Sequence, residues 1–340
     1  MRVIVDAFGG DNAPLEVLRG CAQAKGETGL SILLSGDENK IKSCAAENGV
    51  DLSGMEILHA PDIIGMEDEP TAVLREKKDS SMAAGLRALR EGRGDSFVTA
   101  GSTGAFVVGS TFLVGRIKGV KRPALAAIMP TAGDYCAVVD TGANVECRPE
   151  MLTQFGLMGS IYMEHAAGYK NAKVGLLNIG TEESKGGALQ TAAYGQLASA
   201  PVNFIGNVEA REVPSGKCHV LVCDGFSGNV VVKLTEGVAV FMMSLVKGVF
   251  MKSALTKIAA LLVKSGLKAL KSKMDYTEYA GAPLLGINGA VIKAHGNSGA
   301  KVIAAAIRQA DRYAASGAVQ KIAEEMPKVL AVMKESSDQE

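Results

Sequence analysis

Arg2-Val-Ile-Val-Asp6 runs into Ala7-Phe-Gly-Gly-Asp-Asn-Ala-Pro14, which runs into Leu15-Glu-Val-Leu-Arg-Gly-Cys-Ala-Gln-Ala-Lys25. The first segment is a short apolar run of strand type. The last carries apolar residues at helical spacing, with Pro14 placed to open the helix. A glycine-polar loop joins them. This order of strand, glycine loop and helix recurs along the chain. Further strand-type runs occur at 31–34, 55–58, 96–99, 125–129, 137–140, 173–179, 202–205 and 219–223. Stretches of helical period occupy 38–47, 71–90, 104–115, 149–166, 188–198 and 298–315. Such alternation predicts an α/β fold of three layers, α/β/α, with a mostly parallel sheet covered by helices on both faces. The runs at 125–129 and 137–140 have no helix between them and predict a local antiparallel hairpin. No composition shift divides the chain, so residues 1–340 are read as a single catalytic domain.

Composition narrows the function. Lys plus Arg and Asp plus Glu both total 36, and the absence of a basic surplus argues against a nucleic-acid binder. Tryptophan is absent and aromatics make up 5%, which disfavours a stacking platform for single strands. The six cysteines show no C-x-x-C or zinc-type spacing, so free thiols, no metal and no cofactor are expected. No secretory leader and no run of about 18 apolar residues is evident, so no transmembrane helix is expected. Glycine is in excess: 40 of 340 residues, against an average near 7%. The excess gathers in six glycine-polar loops, at 6–14, 99–104, 140–144, 178–187, 223–229 and 295–299. In a parallel sheet these loops lie where ligands bind. Glycine lets backbone N–H groups approach an anion, and a following helix N-terminus favours it, so a phosphate-type ligand is expected. No G-x-G-x-x-G, P-loop or G-x-S-x-G motif occurs.

Taken together and in order, these loops resemble those of the bacterial PlsX family, phosphate acyltransferases acting on fatty acyl-acyl carrier protein. The matching residues are Val5-Asp-Ala-Phe-Gly-Gly-Asp-Asn-Ala-Pro14, Gly101-Ser-Thr-Gly-Ala105, Thr141-Gly-Ala-Asn144, Asn178-Ile-Gly-Thr-Glu-Glu-Ser-Lys-Gly186, Asp224-Gly-Phe-Ser-Gly-Asn229 and His295-Gly-Asn-Ser298. The likeness extends from residue 1 to about residue 335. It implies a fold similar to phosphotransacetylases and isocitrate-dehydrogenase-type proteins, a homodimer, and a reaction. Acyl carrier protein thioester plus inorganic phosphate gives acyl phosphate, for phospholipid synthesis, plus free carrier protein. A coenzyme A thioester as acyl donor, or a non-catalytic scaffold that binds carrier protein, are the alternatives. Asn12 stands where the family usually has histidine, so no acid or base role is assigned there; Ser227 keeps the hydroxyl of the commoner threonine.

Phosphate is partly dianionic at neutral pH, so its attack on a thioester needs position and oxyanion donors more than a base. Ser102, Thr103 and Gly104, with Gly9 and Gly10, are the expected phosphate-binding residues; capping a helix is the plainer role for Ser102 or Thr103. Gly9 and Gly10 share their loop with Asp6 and Asp11, carboxylates read as loop organisers. The expected catalytic residues are Lys185, as a charge on phosphate or oxyanion, Asn229, as amide donor or helix cap, Asp224, orienting Lys185 or a turn, and His295, protonating the departing thiolate.

The stretch 237–274 has no Asp or Glu and seven lysines. At 100° per residue Lys257, Lys264, Lys268 and Lys271 form one stripe, opposite an arc of Leu255, Ile258, Leu262, Val263 and Leu270. This predicts a basic amphipathic helix, in a hairpin whose tip is formed by Gly248 and the Lys252-Ser-Ala254 break. It serves as a core or dimer helix, as a contact with an anionic membrane surface, or as both in a hairpin projecting from a dimer. The second reading puts the protein in the cytoplasm, peripherally on the inner face of the membrane. The acidic carrier protein could dock on the same lysines or on Arg75, Lys77, Lys78, Arg87, Arg90 and Arg93.

Overall fold

The computed structural model describes residues 1–268 and 280–337. Eleven strands form one sheet. They are β1 (Arg2–Asp6), β2 (Ser31–Gly36), β3 (Glu56–His59), β4 (Ser96–Thr99), β5 (Ala124–Pro130), β6 (Tyr135–Val139), β7 (Lys173–Asn178), β8 (Asn203–Glu209), β9 (Val220–Val222), β10 (Gly281–Leu285) and β11 (Ala290–Ala294). Their order is β3-β2-β1-β4-β11-β10-β5-β6-β9-β7-β8. All nine strand-type runs of the sequence form strands; β10 and β11 were not expected. Pro283 argues against a strand, and β10 accommodates it by pairing with β5 only beyond it, at Leu284 and Leu285.

The first five strands in that order are mutually parallel, and so are the last four. Antiparallel pairing of β11 with β10, β10 with β5 and β5 with β6 joins the two blocks. Three reversals in succession make the blocks run in opposite directions. The expected hairpin is therefore present at β5–β6, and it sets the polarity of half the sheet.

Helices cover both faces. The helices α1 (Leu15–Thr28), α2 (Glu38–Asn48), α5 (Pro149–His165), α6 (Ala188–Ser199), α9 (Ala300–Ala315) and α10 (Ala318–Ser337) contribute to the largest core or pack on elements that do. Among them α5 is buried almost all round, from Met151 to Met163. On the other face α3 (Ser81–Arg90) and α4 (Thr103–Gly109) cover the first block, and α7 (Gly225–Met251) meets the second. Two expectations are corrected here. The predicted helix 71–90 is a 3₁₀ turn at Pro70–Leu74, then a loop, then α3, because Ser80 accepts the N–H of Ala83 and starts the helix afresh. The predicted helix 104–115 is α4 followed by a wider π turn, Ser110–Val114.

The basic stretch is also resolved into parts. Helix α7 ends at Met251, and α8 (Ala254–Leu262) begins from Ser253, whose hydroxyl accepts the N–H of Thr256. The hairpin tip is thus at Lys252-Ser253, within the expected break, while Gly248, expected at the tip, lies inside α7. Lys271 and Leu270 lie outside the described residues. A third correction concerns α7. Its 27 residues contain an 18-residue window of mean hydropathy 1.6, long and apolar enough by length and composition to cross a membrane. Only 6% of that window is buried within the fold. Its first turn, however, is built into the sheet: Gly225 and Gly228 are buried, and a β-carbon on Gly228 would collide with the Asp140 carbonyl oxygen.

Gly228→Ala should therefore destabilise the fold by about 1–3 kcal/mol, as overpacked sites do. Gly237→Ala, with open space around it in the same helix, should stabilise by about 0.5–1 kcal/mol. Urea unfolding of the two variants checks both signs.

Candidate functional site

Strands β1, β4 and β11 are neighbours and parallel, so the loops at their carboxyl ends meet. Asp6, buried at the end of β1, accepts from the Phe8 N–H and from the Thr99 hydroxyl at 2.7 Å. Thr99 Oγ1 in turn accepts from the Gly101 N–H at 3.0 Å. The Asp11 N–H reaches the Gly296 carbonyl at 2.8 Å, and the Asn12 amide reaches that of Asn297 at 3.0 Å. Gly9 and Gly10 make this contact possible. A β-carbon on Gly9 would stand 2.6–2.7 Å from Thr99 Oγ1, Asp6 Oδ2 and Gly101 N, and Gly10 has φ +104°. Their visible work is close packing of the loops. Ser102 caps α4 by accepting from Ala105 N, Thr103 beside it is exposed, and Gly104 packs on Pro70. His295 is exposed, with Nδ1 accepting from the Asn297 N–H at 3.4 Å.

A buried cation of this group, Lys293, was not among the expected residues. Lys293, on β11, is 8% exposed, and its Nζ donates to the carbonyls of Ala100, at 3.2 Å, and Ala294. An ammonium has three donors, so one is left over. Burial pulls its pKa down to about 8, against the pull of Asp6 and Asp11, and the like charge of Lys233 on α7 lowers it further. Burial also raises the pKa of Asp6. The signal was a lysine in an otherwise apolar run just before a glycine loop, Ala290-Val-Ile-Lys-Ala-His-Gly296. It passed unnoticed because the run was not recognised as a strand.

A second group forms at the carboxyl ends of β7 and β9. Asp224 caps α7, accepting from the Ser227 N–H and hydroxyl, both at 2.8 Å. Asn229 is therefore not the cap; it lies inside α7 and is exposed. Asp224 does not orient Lys185 either, since no ion pair joins them among the described residues. Lys185 stands exposed, 4.0 Å from Glu182, and its carbonyl is held by the Asn178 amide at 2.9 Å. Gly186, at φ +94°, turns the chain there. Beside these residues lies a cavity of about 440 Å³, between the ends of β7 and β9 and the first turns of α7.

The candidates thus fall into two sets: Gly9, Gly10, Ser102, Thr103, Gly104 and His295 in one, and Lys185, Asp224 and Asn229 in the other. They sit at the carboxyl ends of strands that run in opposite directions. Helix α7 starts at the second set and passes toward the first, close enough by its third turn for Lys233 to act on Lys293. The remaining histidines bind backbone: His59 Nδ1 accepts from Glu38 N, His219 Nδ1 accepts from Lys173 N, and His165 meets the Ser316 carbonyl. All six cysteines are free, and among the described residues no three His, Cys, Asp or Glu side chains gather for a metal.

The Ser102 hydroxyl and the buried ammonium of Lys293 are the groups of this set whose chemistry suits an anion. Lys293→Met tests this. Sulfate does not titrate near neutrality, so its binding should weaken severalfold between pH 7 and 9 in the unaltered protein and be weak and flat in the variant. For stability the sign is opposite: a lysine pKa lowered by folding is a penalty present below about pH 8 and relieved as pH rises toward the ordinary lysine value.

A family model described as fatty acid synthesis protein matches residues 1–321. The chain is 46% identical over 326 residues to a phosphate acyltransferase of Acetivibrio thermocellus, covering 96% of each. It is 43% identical over 323 residues to one of Clostridioides difficile, covering 95% of each. In fold it is similar to EutD phosphotransacetylase from Staphylococcus aureus, with TM-score 0.60, 17% identity and 92% and 94% of the two chains covered. It is also similar to a 4-hydroxythreonine-4-phosphate dehydrogenase from Klebsiella pneumoniae, with TM-score 0.56, 11% identity and coverage of 92% and 99%.

Proposed function

The chain belongs to the phosphate acyltransferase family, and from that premise we propose that it takes a fatty acyl group from acyl carrier protein to phosphate, releasing acyl phosphate for phospholipid synthesis. It is a transferase, and phosphate is the acceptor. A phosphate oxygen forms the new bond to the thioester carbonyl carbon, the C–S bond breaks, and the thiolate takes a proton. The observation that supports the assignment of roles is the buried Lys293, whose Nζ donates to the carbonyl of Ala100, just before the loop that carries Ser102, Thr103 and Gly104. Gly9 and Gly10 shape that cradle, and His295 is the proton donor to sulfur. Lys185 and Asn229, beside the cavity at the foot of α7, serve the thioester, and Asp224 fixes the turn from which α7 starts.

This division has a kinetic signature. Ser102→Ala should raise the KM for phosphate about tenfold and leave that for the thioester unchanged, whereas Lys185→Ala should do the reverse. A Lys185 variant with an altered phosphate KM alone would overturn the division. Matched C16 chains on carrier protein and on coenzyme A, at equal concentration, identify the donor. Acyl phosphate from the carrier protein thioester is expected; product from the coenzyme A ester alone refutes that donor, and consumption of neither supports a scaffold.

The protein is also proposed to work as a homodimer in the cytoplasm, with the hairpin on an anionic membrane surface. What supports the membrane contact is the direction of the apolar arc of α8. Leu255, Ile258 and Leu262 face solvent, at 78%, 56% and 81% exposure, instead of meeting the core of their own chain. Lys257, Lys264 and Lys268 form no ion pair among the described residues, whereas Lys77 and Arg87 of the other basic patch are paired with Asp68 and Asp79. Apolar surface flanked by unpaired cations matches an anionic interface. Leu262→Glu should cut sedimentation with anionic liposomes severalfold while turnover of soluble substrate is kept. Unchanged sedimentation would return the arc to a dimer role.

A further inference from the structure

The cavity at the foot of α7 is lined by Leu176, Leu177, Ile179, Phe226, Val230 and Val231, among others. Its volume, about 440 Å³, is within the usual range of small-molecule sites. Most polar side-chain groups on its walls have a partner within the protein. Asp224 is taken by the N–H and hydroxyl of Ser227, and Asn178 by the Lys185 carbonyl and the Ile179 N–H. Gln190 Oε1 accepts from the Gly187 N–H, and the Cys223 thiol donates to the Asp140 carbonyl. A ligand rich in amides and hydroxyls, such as the arm that carries a thioester, would find few uncommitted partners there, which is unfavourable. A hydrocarbon has no polar groups of its own to leave unanswered. The mouth carries the exposed apolar side chains Ile179 and Phe226, and the apolar row continues along α7 through Leu234, Val238 and Phe241, all exposed.

We infer that this cavity takes the hydrocarbon chain of the acyl group, with longer chains continuing along the exposed row of α7. The inference rests on the acyl-transfer reading above and adds the place and the length dependence of chain binding. Each buried methylene contributes about fourfold in affinity. Displacement of a fluorescent fatty acid by saturated carboxylates from C4 to C16 should therefore show affinity climbing with length until the cavity is filled.

Val230→Trp, at a wall position 46% exposed, narrows the cavity without disturbing the core. It should end the climb at a shorter chain, losing at least tenfold at C16 and little at C4, with acyl phosphate formation shifting in the same way. Val240→Trp, on α7 but outside the cavity, should leave the series unchanged. An unaltered length series in Val230→Trp, or an equal loss at every length with the fold intact by circular dichroism, would overturn the assignment. A length-dependent series in a protein that makes no acyl phosphate would instead refute the reaction and leave the cavity as a chain site. Acyl phosphate formation with the same length profile in Val230→Trp would refute the cavity alone.

Discussion

The carboxylate of Asp140 holds together the part of the structure on which the rest depends. It accepts from the N–H groups of Leu125, Ala143 and Asn144 and from the Asn144 side-chain amide, at 2.6–3.1 Å. Burial raises its pKa, and these four donors work against that rise. Asn144 passes the connection on: its amide also reaches the Pro123 carbonyl, and its own carbonyl accepts from Gly225 N at the start of α7. The start of β5, the end of β6 and the foot of α7 are thus fixed by one side chain and its neighbour. That junction is where the sheet changes direction. A buried carboxylate with its donors removed is costly, so the geometry of α7 and of the cavity at its foot is set by this junction.

Electrostatics divides the site along the same line. The first loop group has a buried ammonium balanced by Asp6 and Asp11, under a helix start with a capping serine. The second has its carboxylate spent on a cap, an exposed lysine and apolar walls. An anion and a hydrocarbon make opposite demands on their surroundings, and the proposed roles give one to each group. Zero net charge conceals a third region, the acid-free stretch 237–274, whose seven lysines are offset by acidic residues elsewhere in the chain.

Much of this was legible in the sequence. Nine strands, the β5–β6 hairpin, the hairpin break and all six glycine loops follow from local pattern. What escaped has physical causes. Pro283 and Lys293 disguise β10 and β11, because an imino acid and a charge contradict the signature of a buried strand. Pro327 likewise disguised α10. The opposed directions of the two sheet blocks follow from long-range pairing, which no local spacing encodes; six loops that read alike therefore divide into two groups. The glycines were read as openings for an anion. At Gly9, Gly225 and Gly228 the need is instead for two backbones to touch.

The central claim is that phosphate is held by the first loop group and the acyl chain by the second. Arsenate is a phosphate mimic that can be located in a crystal by anomalous scattering. The account predicts one strong peak within hydrogen-bonding distance of the Ser102 hydroxyl, on the side of the Lys293 ammonium. A peak between Lys185 and Asp224, with none at Ser102, would contradict it.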